Sequence, residues 1–458
     1  MLFNSRAFLI CFLPLALAIY AIASRRENWR LPVLLGLSIA FYSYWDWNLA
    51  PLLVLSILIN WIAARIYGRT RNRHVVTAAI IANLAVLGTF KYLDFLIANA
   101  SAMLGEQPGA LVFATTLALP LGISFFTFHH IMYLTDLRDG KAPLYDPVRY
   151  GLYIGFFPQV LSGPLVRWHE FMHQLDSNPF APGWERRAVT GALLIVLGLL
   201  QKVFLGDRLA TVVEPAFAAA AVHPVAAGLA WQGILAFTFQ IFFDFSGYSD
   251  IAIGLGLLFG VRLPENFAAP YRATSLRAFW RRWHMTLSRF LRDYLYVRFG
   301  GNRHGLDRQV AAVLVTMALG GLWHGAAWTF VAWGLLHGFG LAAGVLWRAR
   351  ELPMPPLVGW MLTFVFVMLT WVFFRAATFE AAWRMFDGLF LQTEWGPEFR
   401  WHTIALAAVI AFGAPPTAAI VERLGMNRWV AAAAGVTLAV LLMEIGGDQT
   451  AEFIYFKF

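Results

Sequence analysis

The chain has 458 residues, of which 59% are hydrophobic and only 13% charged, and its mean hydropathy is +0.62. A soluble domain carries about one-quarter charged residues, so this composition excludes one and points to an integral membrane protein. The net charge of +9 follows from arginines gathered on the inner face of a membrane and gives no ground for a nucleic-acid partner.

Apolar runs of about 20 residues, the length that crosses a bilayer, recur from end to end, and no polar block is long enough for a separate soluble domain. The expected fold class is all-α and polytopic, one membrane-embedded domain over residues 1–458. The first run, Ala7 to Ala23, follows Arg6 and ends in "AIAS", the outline of a signal peptide. The basic "SRRENWR" after it favours a retained first span. Cys11, the single cysteine, lies in this run, which excludes an intramolecular disulfide and a cysteine metal site. Arg25, Arg26 and Arg30 follow the first run, Arg65, Arg69, Arg71 and Arg73 follow the third, and only "WDWN" joins the second to the third. Both basic loops then face the cytoplasm and the N-terminus lies outside.

Further runs fall near 75–98, 109–135, 148–165, 188–207, 209–222, 225–245, 247–262, 310–326, 327–347, 355–374, 402–420 and 429–445. Several are short or broken by Gly and Pro, which predicts roughly 11 to 13 transmembrane or re-entrant helices. Residues 263–309 interrupt the pattern with arginine and aromatics after two prolines. Irregular backbone at membrane depth requires cover by protein or a water-filled cavity, so this segment is expected to fold against the bundle on the cytoplasmic side.

Four groups of residues invite chemistry. His324 stands in "GGLWHGAAWTF" among Gly320, Gly321, Gly325, Ala326 and Ala327. A histidine inside a span marks a functional position by default, and the small residues either admit a thin substrate or serve helix packing. His284 stands in "FWRRWHMTLSRFLRDYLY" with Arg281, Arg282, Arg289 and Arg292. Those arginines either snorkel to membrane lipid headgroups or form an anion-binding wall for a pantetheine-linked donor. Trp283 and Trp323, next to the two histidines, join the donor-binding set. Gln240, Asp244, Ser246, Tyr248 and Asp250 lie in an otherwise apolar stretch and need partners or water: either they pair structurally with the arginines of 272–298, or they serve the reaction, with Gln240, Asp244, Ser246 and Tyr248 in the substrate- and donor-binding set. The C-terminal "FIYFKF", residues 453–458, either anchors at the interface through Lys457 or plugs into a cavity and presents Tyr455.

These residues carry a resemblance. "LPLGISFFTFHHIMYLTDLRDG", "YIGFFPQVLSGPLVRWHEF", "FDFSGYSDIAIGLGLLFGVRLPENFAAPYRATSLRAFWRRWHMTLSRFLRDYLYVRFGGNR" and "GLWHGAAWTFVAWGLLHG" together resemble the membrane-bound O-acyltransferase (MBOAT) superfamily. The similarity is to its alginate O-acetylation branch, related to the D-alanyl transfer protein of teichoic acid modification. The resemblance implies transmembrane helices around a thinned centre with a tunnel between the two faces. It matches the family's invariant histidine to His324 and its second polar position to His284. His129 and His130 in "FHHIMYL", and Lys457, depart from the pattern.

The implied reaction takes an acetyl group from acetyl-CoA or another pantetheine thioester, with no bound cofactor or metal, for O-acetylation of an exopolysaccharide outside the bacterial inner membrane. An acyl-carrier protein is the other donor, and a periplasmic SGNH-type acetyltransferase the expected partner. Neutral imidazole suits a base near a hydroxyl, which gives His324 that role. Tyr455 is a possible acyl relay. The alternatives are transfer of D-alanyl or another acyl group from a carrier protein, acylation of a lipid or protein, and a polysaccharide transporter whose activity survives loss of His324.

Overall fold

The computed structural model describes residues 2–45, 47–105, 119–392, 394–395, 401–425, 427–445 and 453–454, and among them the secondary structure is helical with no strand. In hydrocarbon every backbone N–H and C=O must be satisfied within its own segment, and the helix does this. Six described helices are long and apolar enough to cross a membrane: Ala50–Thr70, Arg73–Leu104, Trp184–Val222, Ala227–Leu258, Trp328–Ala349 and Pro356–Arg375. Trp401–Gly413 and Thr417–Leu424, bent by 73°, make a seventh if counted as one broken span. The break falls at Pro415 and Pro416, which lack the N–H a continuing helix needs. The chain is a multi-pass membrane protein.

Two pairs of apolar runs that hydropathy separates prove to be single helices. The runs 188–207 and 209–222 join in Trp184–Val222, and 225–245 and 247–262 join in Ala227–Leu258. At the first junction Asp207 is neutralised by Lys202, 2.6 Å away. At the second, Gly247 packs so closely that a Cβ there would stand 2.6 Å from the carbonyl oxygen of Gly198. Polar or small residues that look like breaks along the chain are therefore used sideways. The run 148–165, by contrast, holds only the short helices Pro147–Gly155 and Phe157–Val160.

The chain divides into two compact units. The first comprises Met1–Val196, Ser249–Pro264 and Met426–Gly446. Phe3, Phe8, Phe41 and Phe157 form an aromatic core there, with the Phe41 and Phe157 rings 5.2 Å apart. Arg6 donates to the carbonyls of Leu442 and Met443, satisfying the open C-terminal end of helix Arg428–Glu444. His129 and His130 are part of this unit's interior. The His129 imidazole bonds the Phe125 carbonyl through Nδ1 and accepts the Val166 N–H on Nε2. That of His130 lies between the Tyr150 hydroxyl, at 2.7 Å, and Ser56. Both histidines use their two nitrogens in fixing the core.

The second unit comprises Leu197–Tyr248, Glu265–Gly425 and Gly447–Phe458. Its centre is a cluster of Trp283, Trp333 and Trp371, the last two stacked at 5.6 Å and 15°. His337 is a satisfied core residue here. Trp280 donates its indole N–H to Nδ1, which leaves the proton on Nε2 to bond the Thr370 hydroxyl at 3.0 Å.

Candidate active site

The site lies in the second unit, where two interruptions of regular helix supply the histidines. The arginine-rich segment folds as a turn at Pro270–Arg272 and three short helices, Leu276–Trp280, Met285–Phe290 and Leu291–Tyr296. His284 is its pivot, in the left-handed region at φ +42°, uncommon for a residue with a Cβ. Asn266 holds the turn. Its carbonyl accepts from the Met285 N–H at 2.9 Å. Its side-chain Oδ1 accepts from the Thr286 N–H at 3.2 Å and the Thr286 hydroxyl at 3.0 Å, and lies 3.0 Å from His284 Nδ1. An amide oxygen only accepts, so Nδ1 carries the proton and the lone pair belongs to Nε2. His284 is fully buried, and burial pushes its pKa down to about 3, so the ring is neutral at physiological pH.

His324 ends the helix Leu306–His324, because Gly325 turns to extended backbone before Trp328–Ala349 begins. The small residues beside it are spent on packing. Gly321 and Gly334 bring the backbones of these two helices together: a Cβ on Gly321 would stand 3.0 Å from the Gly334 Cα and would overlap the Phe330 carbonyl. Gly325 makes room for the Phe330 ring. The buried imidazole of His324 is enclosed by Trp323 at 4.8 Å, Trp333 at 5.1 Å and Phe374 at 5.1 Å. Trp323 also lies 6.3 Å from the His284 ring, so one indole touches both histidines.

Gln240, Asp244, Ser246 and Tyr248 are buried on helix Ala227–Leu258. Sequence reasoning pairs these polar groups with the arginines of 272–298, but the partner of Asp244 is Lys202, at 2.5 Å. Helix Trp184–Val222 comes close enough for this at Gly206, where a Cβ would stand 3.2 Å from the Asp244 backbone. Ser246 bonds Gln201 at 2.6 Å. Tyr248 stacks on Phe453 at 4.4 Å and 16°, and the Ile454 N–H donates to Asp244 Oδ2 at 2.8 Å. Phe453 also packs 5.6 Å from Phe245, whose ring meets His284 edge-on at 4.6 Å. Tyr455 and Lys457 lie outside the described residues.

A cavity of about 840 Å³ opens beside these elements, its wall carrying Arg277, Arg281, Arg289, Arg292 and Arg348. Met285 also lines it, directly after His284, as do Thr316 and Met317 from the helix that ends in His324. Arg282 and Trp283 are not on this wall. The Arg282 carbonyl accepts from the Ala268 N–H, and Trp283 is buried between Phe279 and Trp371.

The model of the membrane-bound O-acyltransferase (MBOAT) family matches residues 76–383, a stretch that contains both histidines and the cavity wall. The chain belongs to this family. A probable alginate O-acetylase, AlgI, of Azotobacter vinelandii is 38% identical over 411 residues, covering 86% of this chain and 79% of that protein. The peptidoglycan O-acetyltransferase of Helicobacter pylori is 36% identical over 426 residues, covering 85% and 80%. A teichoic acid D-alanyltransferase of Bacillus subtilis is 31% identical over 227 residues, 47% of this chain and 56% of that protein. This MBOAT protein is thus an acyltransferase.

Three side chains around the candidate site escape sequence reasoning. Asn266 sets the proton of His284, Lys202 answers Asp244, and His337 braces the tryptophan cluster. Lys202 and His337, ionisable groups inside apolar runs, are the two whose sequence context alone could have flagged them.

Proposed function

We propose that the protein takes an acetyl group from a cytoplasmic pantetheine thioester, acetyl-CoA in the first place, and passes it across the inner membrane for O-acetylation of an extracytoplasmic polysaccharide. The observation that carries this reading is the pair of buried histidines, joined by Trp323, together with an arginine-walled cavity lined by Met285, next to His284, and by Thr316 and Met317 of the helix that ends in His324. Arginines bind phosphate bidentately, and coenzyme A supplies phosphates at the far end of a thin arm that ends in the thioester. The relatives named for alginate and peptidoglycan O-acetylation favour acetyl as the group and a polysaccharide outside as the acceptor.

In this reading His324 is the base. The phenolic oxygen of Tyr455 attacks the thioester carbonyl carbon while His324 takes its proton; the C–S bond breaks, the proton returns to the thiolate, and an acetyl ester of Tyr455 remains. Phenolate, with a pKa of about 10, leaves more readily than a sugar alkoxide, so the ester stays activated for a periplasmic SGNH-type partner. The docking of Phe453 and Ile454 beside Asp244 and Tyr248 supports a role for the tail. His284, neutral and with its lone pair on Nε2, is the second polar group of the pocket. The basic loops after the first and third runs support an outside N-terminus.

The test is acetyl transfer from radiolabelled acetyl-CoA to purified protein, wild type against folded His324→Ala. Loss of a positioned base costs about 10²- to 10⁴-fold, so label is expected on the wild type and essentially none on the variant. Equal labelling of both would remove His324 from the chemistry. Label delivered only from an aminoacyl-carrier protein would replace acetyl by D-alanyl.

A further inference from the structure

Asp244 is buried on a membrane-spanning helix, and each of its two oxygens has its own partner. Lys202 Nζ lies 2.5 Å from Oδ1, and the Ile454 amide lies 2.8 Å from Oδ2. Lys202 also meets Asp207 at 2.6 Å, so one ammonium is shared between two carboxylates. The three charged groups come from Trp184–Val222 and Ala227–Leu258, and the first helix has wide π-type turns over Gln201–Asp207 just where they lie. Such turns are costly in regular helix and mark functional positions. Burying an ion pair is unfavourable unless the remaining lone pairs are also bonded. Here the bond that completes Asp244 comes from the C-terminal segment, from a residue more than two hundred positions away.

The side chains agree with that backbone bond. Phe453 is stacked on Tyr248, one turn along from Asp244, and packs against Phe245, the ring that touches His284. Tyr248 and Asp244 are thus occupied by the protein's own C-terminal segment.

We propose that Lys202 and Asp244 form a latch for the C-terminal segment: the lysine orients the Asp244 carboxylate through Oδ1, and Oδ2 accepts the Ile454 N–H. Asp244 is a positioning residue, fixing residue 454 and so the starting point of the next residue, Tyr455. That consequence for catalysis rests on the relay reading above, whereas the latch itself does not.

Hydrogen–deuterium exchange on the full-length protein in lipid nanodiscs, read by mass spectrometry on tail peptides and on peptides of 227–258, tests it. In Asp244→Ala the tail peptides are expected to exchange about tenfold faster or more, the loss that follows removal of a hydrogen bond to a charged group. Asp244→Asn, which keeps an acceptor oxygen, falls between; a role through charge alone would make Asn as damaging as Ala. If Asp244→Ala loosens 227–258 as well, Ile454→Pro decides, because it removes the N–H and leaves the buried charges intact. Tail protection unchanged in Ile454→Pro overturns the latch. In the same samples acetyl transfer should show a lowered kcat with an unchanged KM for acetyl-CoA. A released tail with wild-type turnover would leave the latch standing and sink the Tyr455 relay.

Discussion

Asn266 turns His284 from a buried ring into one with a defined proton. Because Oδ1 also receives the Thr286 N–H and hydroxyl, the amide cannot flip without losing both. Asn266→Ala is expected to lower kcat about 10- to 100-fold, as loss of an orienting partner does at other sites, with KM for the donor held; steady-state kinetics on the two parameters checks it. His284 also makes stability depend on pH. The unfolded chain takes up its proton near pH 6.5, while burial delays this in the folded chain to about pH 3. Unfolding therefore binds a proton across that interval, and stability falls as the pH drops below about 6.5, by about 2 kcal/mol at pH 5 for this group. His284→Gln should flatten the acid side of a plot of Tm against pH. If the two curves stay parallel from pH 7 to pH 5, the ring is not held neutral. The two histidines of the candidate site were legible in the sequence because an ionisable group in apolar surroundings shows along one dimension. Asn266 was not, since an asparagine in a loop is ordinary until its partners 18 and 20 residues away are known.

Among the elements, the hairpin of Leu306–His324 and Trp328–Ala349 sets where His324 stands. Its two helices touch backbone to backbone at Gly321 and Gly334, and Gly338 lies against Leu314 and Met317 in the same seam, as small residues permit in membrane helices. Gly334→Leu forces the helices apart and should cost about 1–3 kcal/mol, the range for overpacking. Acetyl transfer should fall further than stability does, because the displaced helix carries His324, the proposed base, at its end. Gly344→Leu is the control: a Cβ there meets only the tip of Arg348, at 3.5 Å. A melting temperature unchanged in Gly334→Leu would mean that the seam does not fix the hairpin. Helical class and the irregularity of 263–309 were evident from hydropathy, which reads length and polarity. Junctions were not: Asp207, and Gly247 beside Ser246, look like helix ends but are absorbed by Lys202, Gln201 and Gly198. The glycines near His324 allowed two readings in sequence, substrate access or packing, and the geometry assigns Gly321 and Gly325 to packing.

For the molecule as a whole, the excess of arginine has two uses. Part of it, Arg25, Arg26 and Arg71, sits at turns between helices, and part lines the cavity, where Arg277, Arg281 and Arg348 make no ion pair among the described residues. Gathering like charges around a cavity is unfavourable by itself and becomes favourable when an anion enters. If the anion is the phosphate end of coenzyme A, its contacts are the same in the bound thioester and in the transition state, so their loss raises KM and leaves kcat. Arg281→Gln and Arg289→Gln are each expected to raise KM for acetyl-CoA about tenfold, the worth of one charge-assisted hydrogen bond. Raising salt from about 50 to about 500 mM should weaken the wild type more than either variant, since screening acts on the charges the variants lack. Acetyl-dephospho-CoA separates the terminal phosphate from the rest: the wild type should discriminate against it, and the variant that has lost the matching arginine should not. If both variants keep the wild-type KM and salt response, the phosphates bind elsewhere and the arginine wall serves the membrane surface instead.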